Sequence, residues 1–592
     1  MSRHFGSNIS AGFREEFGMI RILKNKTVVA TSVGIITFIV FIPALQNEFI
    51  GDDFGYVVKN TFIRSIDLNL FKYAFLSFQH ANWHPLTWIS HALDYAVWGL
   101  NPMGHHLTNN IFHAVNTFLV VLLVVRLIEV GRGTSQPAGM HGRGSLKVMP
   151  HDLRFTLTAA ATTGLLFGLH PLRVEAVAWV AERKELLCAL FFLLSIMMYV
   201  KYSAHASQRA KGMEQGAVPP MRYAPGPMLS VLCFFVLALL SKPMAVSFPF
   251  VLLILDWYPF KRIHSLRTFL TVLGEKVPFI LLSILASILT VMAQEEGETI
   301  ISTEAIPLSM RALVAAKCLF AYLGKMMLPV NLMPAGYPYP NAKDVTMFSS
   351  EYLLWIVLLT GITIISVVIA RKQPLWLSVW IYYCVTLFPV LGIVKAGGMF
   401  MADRYSYLPS LGPSFVVGLL TAGMQEKILP MKRRRLFFEV GSVTAGIAIL
   451  ISLSFIAITQ TGLWKNDATI QDYLNRIRLE GAIKEYQRTL TIYPDNPDAR
   501  LNLGKIYLQL GLLDKAIEQF RLLVELHPAE ASYRNALGFA YAEKGFTDRA
   551  IEQFQAAVQL APSNPYYQQN LNRAYGLINS FDTPTLKDRF EE

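Results

Sequence analysis

The feature that most constrains this chain is a series of apolar runs long enough, at about 18–20 helical residues each, to cross a bilayer. Eleven can be marked: 28–46, 107–125, 155–172, 178–200, 224–241, 243–260, 277–294, 352–370, 373–394, 405–425 and 440–463. Composition agrees. The chain is 53% hydrophobic and 16% charged, where a soluble protein carries about 25% charge. The expectation is therefore an all-α, polytopic membrane domain of about eleven helices over 28–463. A segment of 1–27 precedes it, and a first outer loop spans 47–106. The run at 28–46 is too long for a cleaved signal and reads as a retained first span.

Net charge is +12, and its distribution decides what it means. With the N-terminus in the cytoplasm, the cytoplasmic side carries roughly +16, the outer face roughly −2 and the C-terminal tail roughly −2. This is a positive-inside signal and excludes a nucleic-acid patch. The apolar segment 313–334 contains Lys317 and Lys325. It preserves this pattern only as an interfacial or re-entrant helix on the outer side, which leaves everything after Trp464 outside the cytoplasm. Cys188, Cys233, Cys318 and Cys384 all fall in or beside apolar stretches. They read as small buried thiols, with no disulfide framework and no metal spacing.

Beyond 464 the composition turns polar and a 34-residue period appears. Gly504, Tyr507, Gly511, Ala516, Phe520 and Pro528 recur as Gly538, Tyr541, Gly545, Ala550, Phe554 and Pro562. Ala482, Tyr486 and Pro494 keep half of the pattern one period earlier, and Tyr575 echoes it one period later. This is a tetratricopeptide-repeat α-solenoid over 464–578, followed by a tail at 579–592. Such a stack presents a groove suited to a protein or peptide partner.

The outer loops hold the polar groups that carry functional information. Asp52 and Asp53 follow the first span in GDDF. His84 lies in WHPLTW, and His105, His106 and His113 follow in GHHLTNNIFH. Because adjacent helical residues point apart, at most one of His105 and His106 is expected to line a site, and interfacial packing is the plainer role for these histidines. Cations mark three short outer turns: Arg173 with Arg183 and Lys184, then Lys242, then Arg404. Four consecutive charges, Glu182-Arg183-Lys184-Glu185, open an apolar span, so some must pair or face a polar cavity. A carboxylate can take a proton from a hydroxyl acceptor while Lys and Arg hold a phosphate at the depth where a lipid-linked sugar presents one.

These residues are also where a resemblance lies. GDDF at 51–54, WHPLTWISHALDY at 83–95, GLNPMGHHLTNNIFH at 99–113, HPLRVEAVAWVAERKELL at 170–187, SKPMAV at 241–246, ADRYSYLPS at 402–410 and the repeats resemble the transmembrane-and-tetratricopeptide-repeat glycosyltransferases. Animal members of that group are protein O-mannosyltransferases, and this chain looks like a bacterial relative. The resemblance implies a GT-C fold and transfer of sugar from a polyprenyl-phosphate carrier to a protein Ser/Thr hydroxyl on the non-cytoplasmic face. It implies an inverting reaction with the catalytic carboxylate at Asp52 or Asp53, Asp52 being favoured. Arg404 and Lys242, with Arg183 or Lys184, become the phosphate-holding candidates, and His84 a candidate contact to acceptor or sugar. No cofactor is required and no dedicated metal site is expected, although a divalent cation at Asp52-Asp53 stays open. The implied place is the bacterial inner membrane, multi-pass, with the repeats in the periplasm and no nucleic-acid partner. The rival reading is a non-enzymatic membrane scaffold whose repeats dock envelope proteins. A transporter ranks below both, because the charges gather at the outer boundary.

Overall fold

The computed structural model describes residues 25–133, 150–214, 225–340, 345, 349–394, 399–428 and 435–581. Most of the described residues are helical, and the chain divides into two compact units, one ending at Ile470 and the other beginning at Gln471.

In the first unit the helices are α1 (Lys26–Val40), α2 (Leu68–Leu76), α3 (Pro85–Trp98), α4 (Pro102–Gly133), α5 (Pro150–Leu169), α6 (Val174–Ala178), α7 (Arg183–Glu214), α8 (Pro225–Ser241), α9 (Phe248–Trp257), α10 (Leu266–Glu296) and α11 (Leu308–Met327). A short strand β1 (Tyr337–Pro338) follows, then α12 (Ser350–Ala370), α13 (Pro374–Leu387), strand β2 (Met399–Met401), α14 (Leu411–Ile428) and α15 (Arg435–Leu463). The two strands pair antiparallel, Tyr337 opposite Met401. They are a small exception to an all-α expectation.

The chain is a multi-pass membrane protein, but the span count differs from the sequence reading. Among the described residues six helices are long and apolar enough to cross a membrane. A seventh is obtained if the bent pair Leu153–Leu169 and Pro171–Ala178 is one span, and three shorter apolar helices remain. Eleven is therefore not reached by that measure. Proline is the physical reason. The apolar run 243–260 opens with a 3-10 turn at Pro243–Ser247 and leaves only α9 as regular helix. The run 373–394 stops at Leu387 and continues as a 3-10 turn through Pro389. Proline lacks an N–H and restricts the residue before it, so such runs fragment where a smooth apolar count sees one span. α11, which carries Arg311, Lys317 and Lys325, is not among the spanning helices.

α4 is the central post of this unit, packed against α1, α5 and α7. Its N-terminal half buries a run of polar side chains completely: His105, His106, Asn109, Asn110, His113, Asn116 and Thr117. The partners of Asn109, His113 and Asn116 show what much of this face does. Between α5 and α7 the chain breaks at His170-Pro171 and again at Trp179, which frees backbone carbonyls deep in the protein. Asn109 donates to the carbonyls of Val177 and Trp179, both at 3.3 Å, and Asn116 to that of Leu186 at 2.9 Å. His113 bonds the Gly168 carbonyl at 2.9 Å and the Tyr407 hydroxyl at 2.7 Å. Irregular backbone at this depth is stable only when its polar groups are satisfied from within, and the polar face of α4 does that.

The second unit is the repeat array. Its helices are α16 (Asp467–Ile492, which begins just before the unit boundary), α17 (Pro497–Gln509), α18 (Leu513–Leu526), α19 (Ala531–Glu543), α20 (Thr547–Leu560) and α21 (Pro565–Phe581). The 34-residue period has a steric cause. A Cβ at Gly504 would collide with the Phe520 ring, and one at Gly538 with the Phe554 ring. Each repeat thus needs glycine and phenylalanine together where its helices touch. Gly511 and Gly545 turn the chain between helices with φ of +70° and +82°, a region glycine enters freely.

Candidate functional site

The sequence candidates converge at one end of the first unit, where the loop after α1 meets the broken segment before α7. That loop is fastened by the end of α15 and the residues that lead into α16. Asn47 donates to the Thr461 carbonyl, the Glu48 N–H to the Lys465 carbonyl at 2.9 Å, and the Gly51 N–H to the Asp467 carboxylate at 3.0 Å. Nothing in the local sequence signals these contacts, which join residues more than 400 positions apart.

The two adjacent aspartates are treated differently. Asp52 is exposed, and its carbonyl accepts the N–H groups of Gly55 and Tyr56, so its side chain stands at the start of a tight turn. Asp53 is fully buried. One of its oxygens accepts the Ile50 N–H at 3.1 Å, and the other accepts the Ala181 N–H at 2.6 Å. It therefore pins the loop after α1 to the segment that begins α7. Burial pushes the Asp53 carboxyl up to about 8 against the opposing pull of those two N–H groups, and the neighbouring Asp52 charge adds to the rise.

Three cations from three separate segments meet beside this loop. Lys184 comes from the start of α7, Lys242 from the turn after α8, and Arg404 from the 3-10 turn after β2. All three lie near Glu182, at 3.1 Å for Lys184, 3.2 Å for Arg404 Nε and 3.6 Å for Lys242. Lys242 is also paired closely with Glu185, and Arg404 with Glu175, whose other oxygen accepts the Arg404 backbone N–H at 2.8 Å. Aromatic faces complete the setting. Lys184 sits 5.0 Å from the Tyr56 ring, Lys242 5.1 Å from that of Tyr405, and Arg404 5.4 Å from that of Trp179. Tyr56, four residues after Asp52, thus links the exposed carboxylate's turn to the cations.

The hairpin of β1 and β2 leads directly into Asp403-Arg404. Asp403 is buried and accepts the Tyr337 hydroxyl at 2.9 Å, which holds the turn that aims Arg404. Burial, with Glu175 nearby, raises the Asp403 carboxyl. The charged form of Arg404 is favoured by Glu175 and Glu182, which outweigh the cost of its burial.

Of the alternatives Arg183 and Lys184, only Lys184 joins the cluster. Arg183 points the other way, to Asp94 at 2.6 Å, the Asn109 side chain at 2.8 Å and the His105 carbonyl at 2.8 Å. It is a buried strut between α3, α4 and α7. Arg173 is another: it donates to the Phe167 carbonyl at 3.0 Å and to Ser410. His84, at the N-terminus of α3, is buried, and its electrostatic neighbours are Lys184, Lys242 and Glu182. Burial and the two lysines hold it neutral, well below the ordinary imidazole range. His105 pairs with Asp94 and the Gly99 carbonyl instead, and both it and His106 are buried.

The sequence reading expected the charges at 182–185 to pair or face a cavity, but it assigned no glutamate to the site and passed over Glu175. Glu175, Glu182 and Glu185 all lie in the 170–187 motif, and each is almost fully buried against a cation. Their spacing, with Glu182 and Glu185 three apart at a helix start, was the available signal. Among the described residues no group of three or more His, Cys, Asp and Glu is arranged to hold a metal ion. What the arrangement can do is clear from its parts: gather an anion at three cations, and accept a proton at an exposed carboxylate nearby.

Known proteins bear on this geometry. Tetratricopeptide-repeat family models match residues 478–538 and 522–565. Protein O-mannosyl-transferase TMTC4 of Homo sapiens is 30% identical over 178 residues, covering 28% of this chain and 22% of that protein. TMTC2 of Mus musculus is 32% identical over 132 residues, covering 22% and 13%. TMTC3 of Homo sapiens is 22% identical over 482 residues, covering 73% of this chain and 47% of that protein. The chain is thus similar in sequence to transmembrane-and-tetratricopeptide-repeat protein O-mannosyl-transferases. It spans less than half the length of these curated relatives. Among solved structures, one of the APC/C hetero-tetramer Cut9-Hcn1 aligns at 16% identity with a TM-score of 0.16, over 72% of this chain and 90% of that one. So low a superposition adds nothing to the repeat assignment.

Proposed function

We propose that the protein is an integral-membrane glycosyltransferase that moves a sugar from a polyprenyl-phosphate carrier to a hydroxyl, a protein Ser or Thr, on the non-cytoplasmic face of the bacterial inner membrane. The observation that carries this reading is the convergence of Lys184, Lys242 and Arg404, from three distant segments, beside the turn that exposes Asp52. Relatives named as protein O-mannosyl-transferases support the same chemistry.

The reaction follows from charge. The acceptor O–H gives its proton to the Asp52 carboxylate as its oxygen bonds to the anomeric carbon. The bond from that carbon to the phosphate oxygen breaks, and the electron pair leaves with the polyprenyl phosphate. Lys184, Lys242 and Arg404 offset the charge that develops on the leaving group. Asp53 has a supporting part: bonded to the Ile50 and Ala181 N–H groups, it fixes the turn that carries Asp52. To neutral His84, whose electrostatic neighbours include two of the cations, this reading assigns a contact to the sugar or the acceptor. In this reading the repeat unit recruits the protein acceptor.

The test is transfer by purified protein from radiolabelled polyprenyl-phosphate sugars to total periplasmic protein, comparing wild type with Asp52→Asn. Label on protein from wild type and none from the variant is expected. Undiminished transfer by Asp52→Asn would remove Asp52 from the mechanism, and no transfer from any donor by wild type would overturn the reading.

A further inference from the structure

The three cations are held by their counter-charges in two different ways. Lys242 has a close partner in Glu185, and Arg404 is bound through both side chain and backbone by Glu175. Each of these carboxylates is tied closely to a single cation. Glu182 is not. It spans Lys184, Arg404 and Lys242 at 3.1, 3.2 and 3.6 Å, longer than the roughly 2.7–2.9 Å of a well-formed charged hydrogen bond. Although its side chain is 2% exposed, its Oε2 accepts no aligned hydrogen bond, and Arg404 Nε finds no aligned acceptor. Two further buried ring nitrogens without partners, His84 Nδ1 and Trp179 Nε1, border the same cluster. One carboxylate thus sits among three cations, two of which have closer partners elsewhere, and its Oε2 and Arg404 Nε are left without aligned bonds amid unspent polar groups.

We propose that Glu182 is a displaceable counter-ion, a resident stand-in for the donor's phosphate that keeps Lys184, Lys242 and Arg404 gathered while the site is empty and yields them when the lipid phosphate arrives. The inference rests on the glycosyltransferase reading and adds a step to it. A polyprenyl-phosphate sugar is a phosphodiester with one negative charge, so its exchange for Glu182 is charge for charge. Transfer leaves a phosphate monoester with about −1.5 to −2 charge, which three cations would hold tightly. The returning Glu182 competes for them and speeds its release. Glu182 touches no reacting atom; it is a positioning residue.

The experiment titrates the full-length protein in detergent with farnesyl phosphate, a short polyprenyl monophosphate, with inorganic phosphate and farnesol run in parallel. Transfer kinetics are measured on the same preparations. Glu182→Gln keeps shape and removes the charge. It is expected to bind farnesyl phosphate about tenfold tighter or more, and to lower KM and kcat together as product release slows. Farnesol binding does not change. Glu182→Asp keeps the charge one methylene farther back and falls between, and it decides alone if the glutamine variant does not fold. Equal or weaker farnesyl phosphate binding by these variants overturns the inference while wild-type transfer keeps the glycosyltransferase reading intact. A gain that inorganic phosphate matches in full, with no preference for the lipid, overturns the assignment to a lipid phosphate. Wild type that neither binds farnesyl phosphate nor transfers sugar overturns both.

Discussion

Asp52 and Asp53 are neighbours in sequence but are set in opposite surroundings, so replacing them one at a time separates chemistry from architecture. Asp53→Asn changes one oxygen into an NH2 group, and that group must face either the Ile50 or the Ala181 N–H, both of which now donate to the carboxylate. Two donors meet, and one buried N–H loses its acceptor, at a cost of about 1–3 kcal/mol. Asp53→Ala strips both acceptors, so about 2–6 kcal/mol is at stake before any relaxation. Asp52→Asn disturbs no side-chain hydrogen bond of this kind, since Asp52 is exposed and its carbonyl does the bonding. It is expected to leave thermal unfolding unchanged and to abolish transfer, because an amide cannot take the acceptor's proton. The assay pairs unfolding of the purified protein in detergent with sugar transfer from the same batch. The expected ranking of melting temperature is wild type equal to Asp52→Asn, then Asp53→Asn, then Asp53→Ala. The reasoning fails if Asp53→Asn melts like wild type yet transfers nothing, for then Asp53 and not Asp52 would be the acting carboxylate.

Arg183→Gln should destabilise the protein by about 3–5 kcal/mol by orphaning buried Asp94, whereas Lys184→Gln should chiefly weaken farnesyl phosphate binding; a titration alongside a melting curve distinguishes them. Stability should fall as pH rises from about 4 towards 8. Asp53 has an ordinary value near 3.8 and a folded value of about 8, so the unfolded chain gives up its proton first. The slope contributed is at most about 1.4 kcal/mol per pH unit, and melting curves of Asp53→Asn across that range should be flatter than those of wild type. Gly538→Val drives a side chain into the Phe554 ring; limited proteolysis should then cut within the repeats while the unit ending at Ile470 stays protected.

How much of this was legible in the sequence depended on whether the signal was local. The repeats were legible because a helix-to-helix contact such as Gly538 with Phe554 recurs at fixed spacing. The apolar runs marked a multi-pass protein, but their number could not be counted from hydropathy, because proline at 171, 243 and 389 interrupts the helix without interrupting the apolar character. The cations of the site stood out as charges beside apolar spans. Their sorting did not: Arg183 and Lys184 are adjacent, and only the backbone direction at the start of α7 decides that one meets Asp94 and the other Glu182. The fastening of Gly51 by Asp467 had no local trace at all.

The acidic residues of the 170–187 segment explain why a basic site can exist here. Three bare cations gathered together would repel one another and would take up any anion that reached them. With Glu175, Glu182 and Glu185 among them the charges balance three to three, and cations that would otherwise splay into water are held within a few ångströms of one carboxylate. In the proposed exchange, neutrality also makes the site selective. An incoming anion must replace a carboxylate, so simple attraction is not enough, and it must offer what Glu182 lacks: additional oxygens for Arg404 Nε and Trp179 Nε1. The tetrahedral phosphate of the proposed donor would meet that demand, and a carboxylate would not.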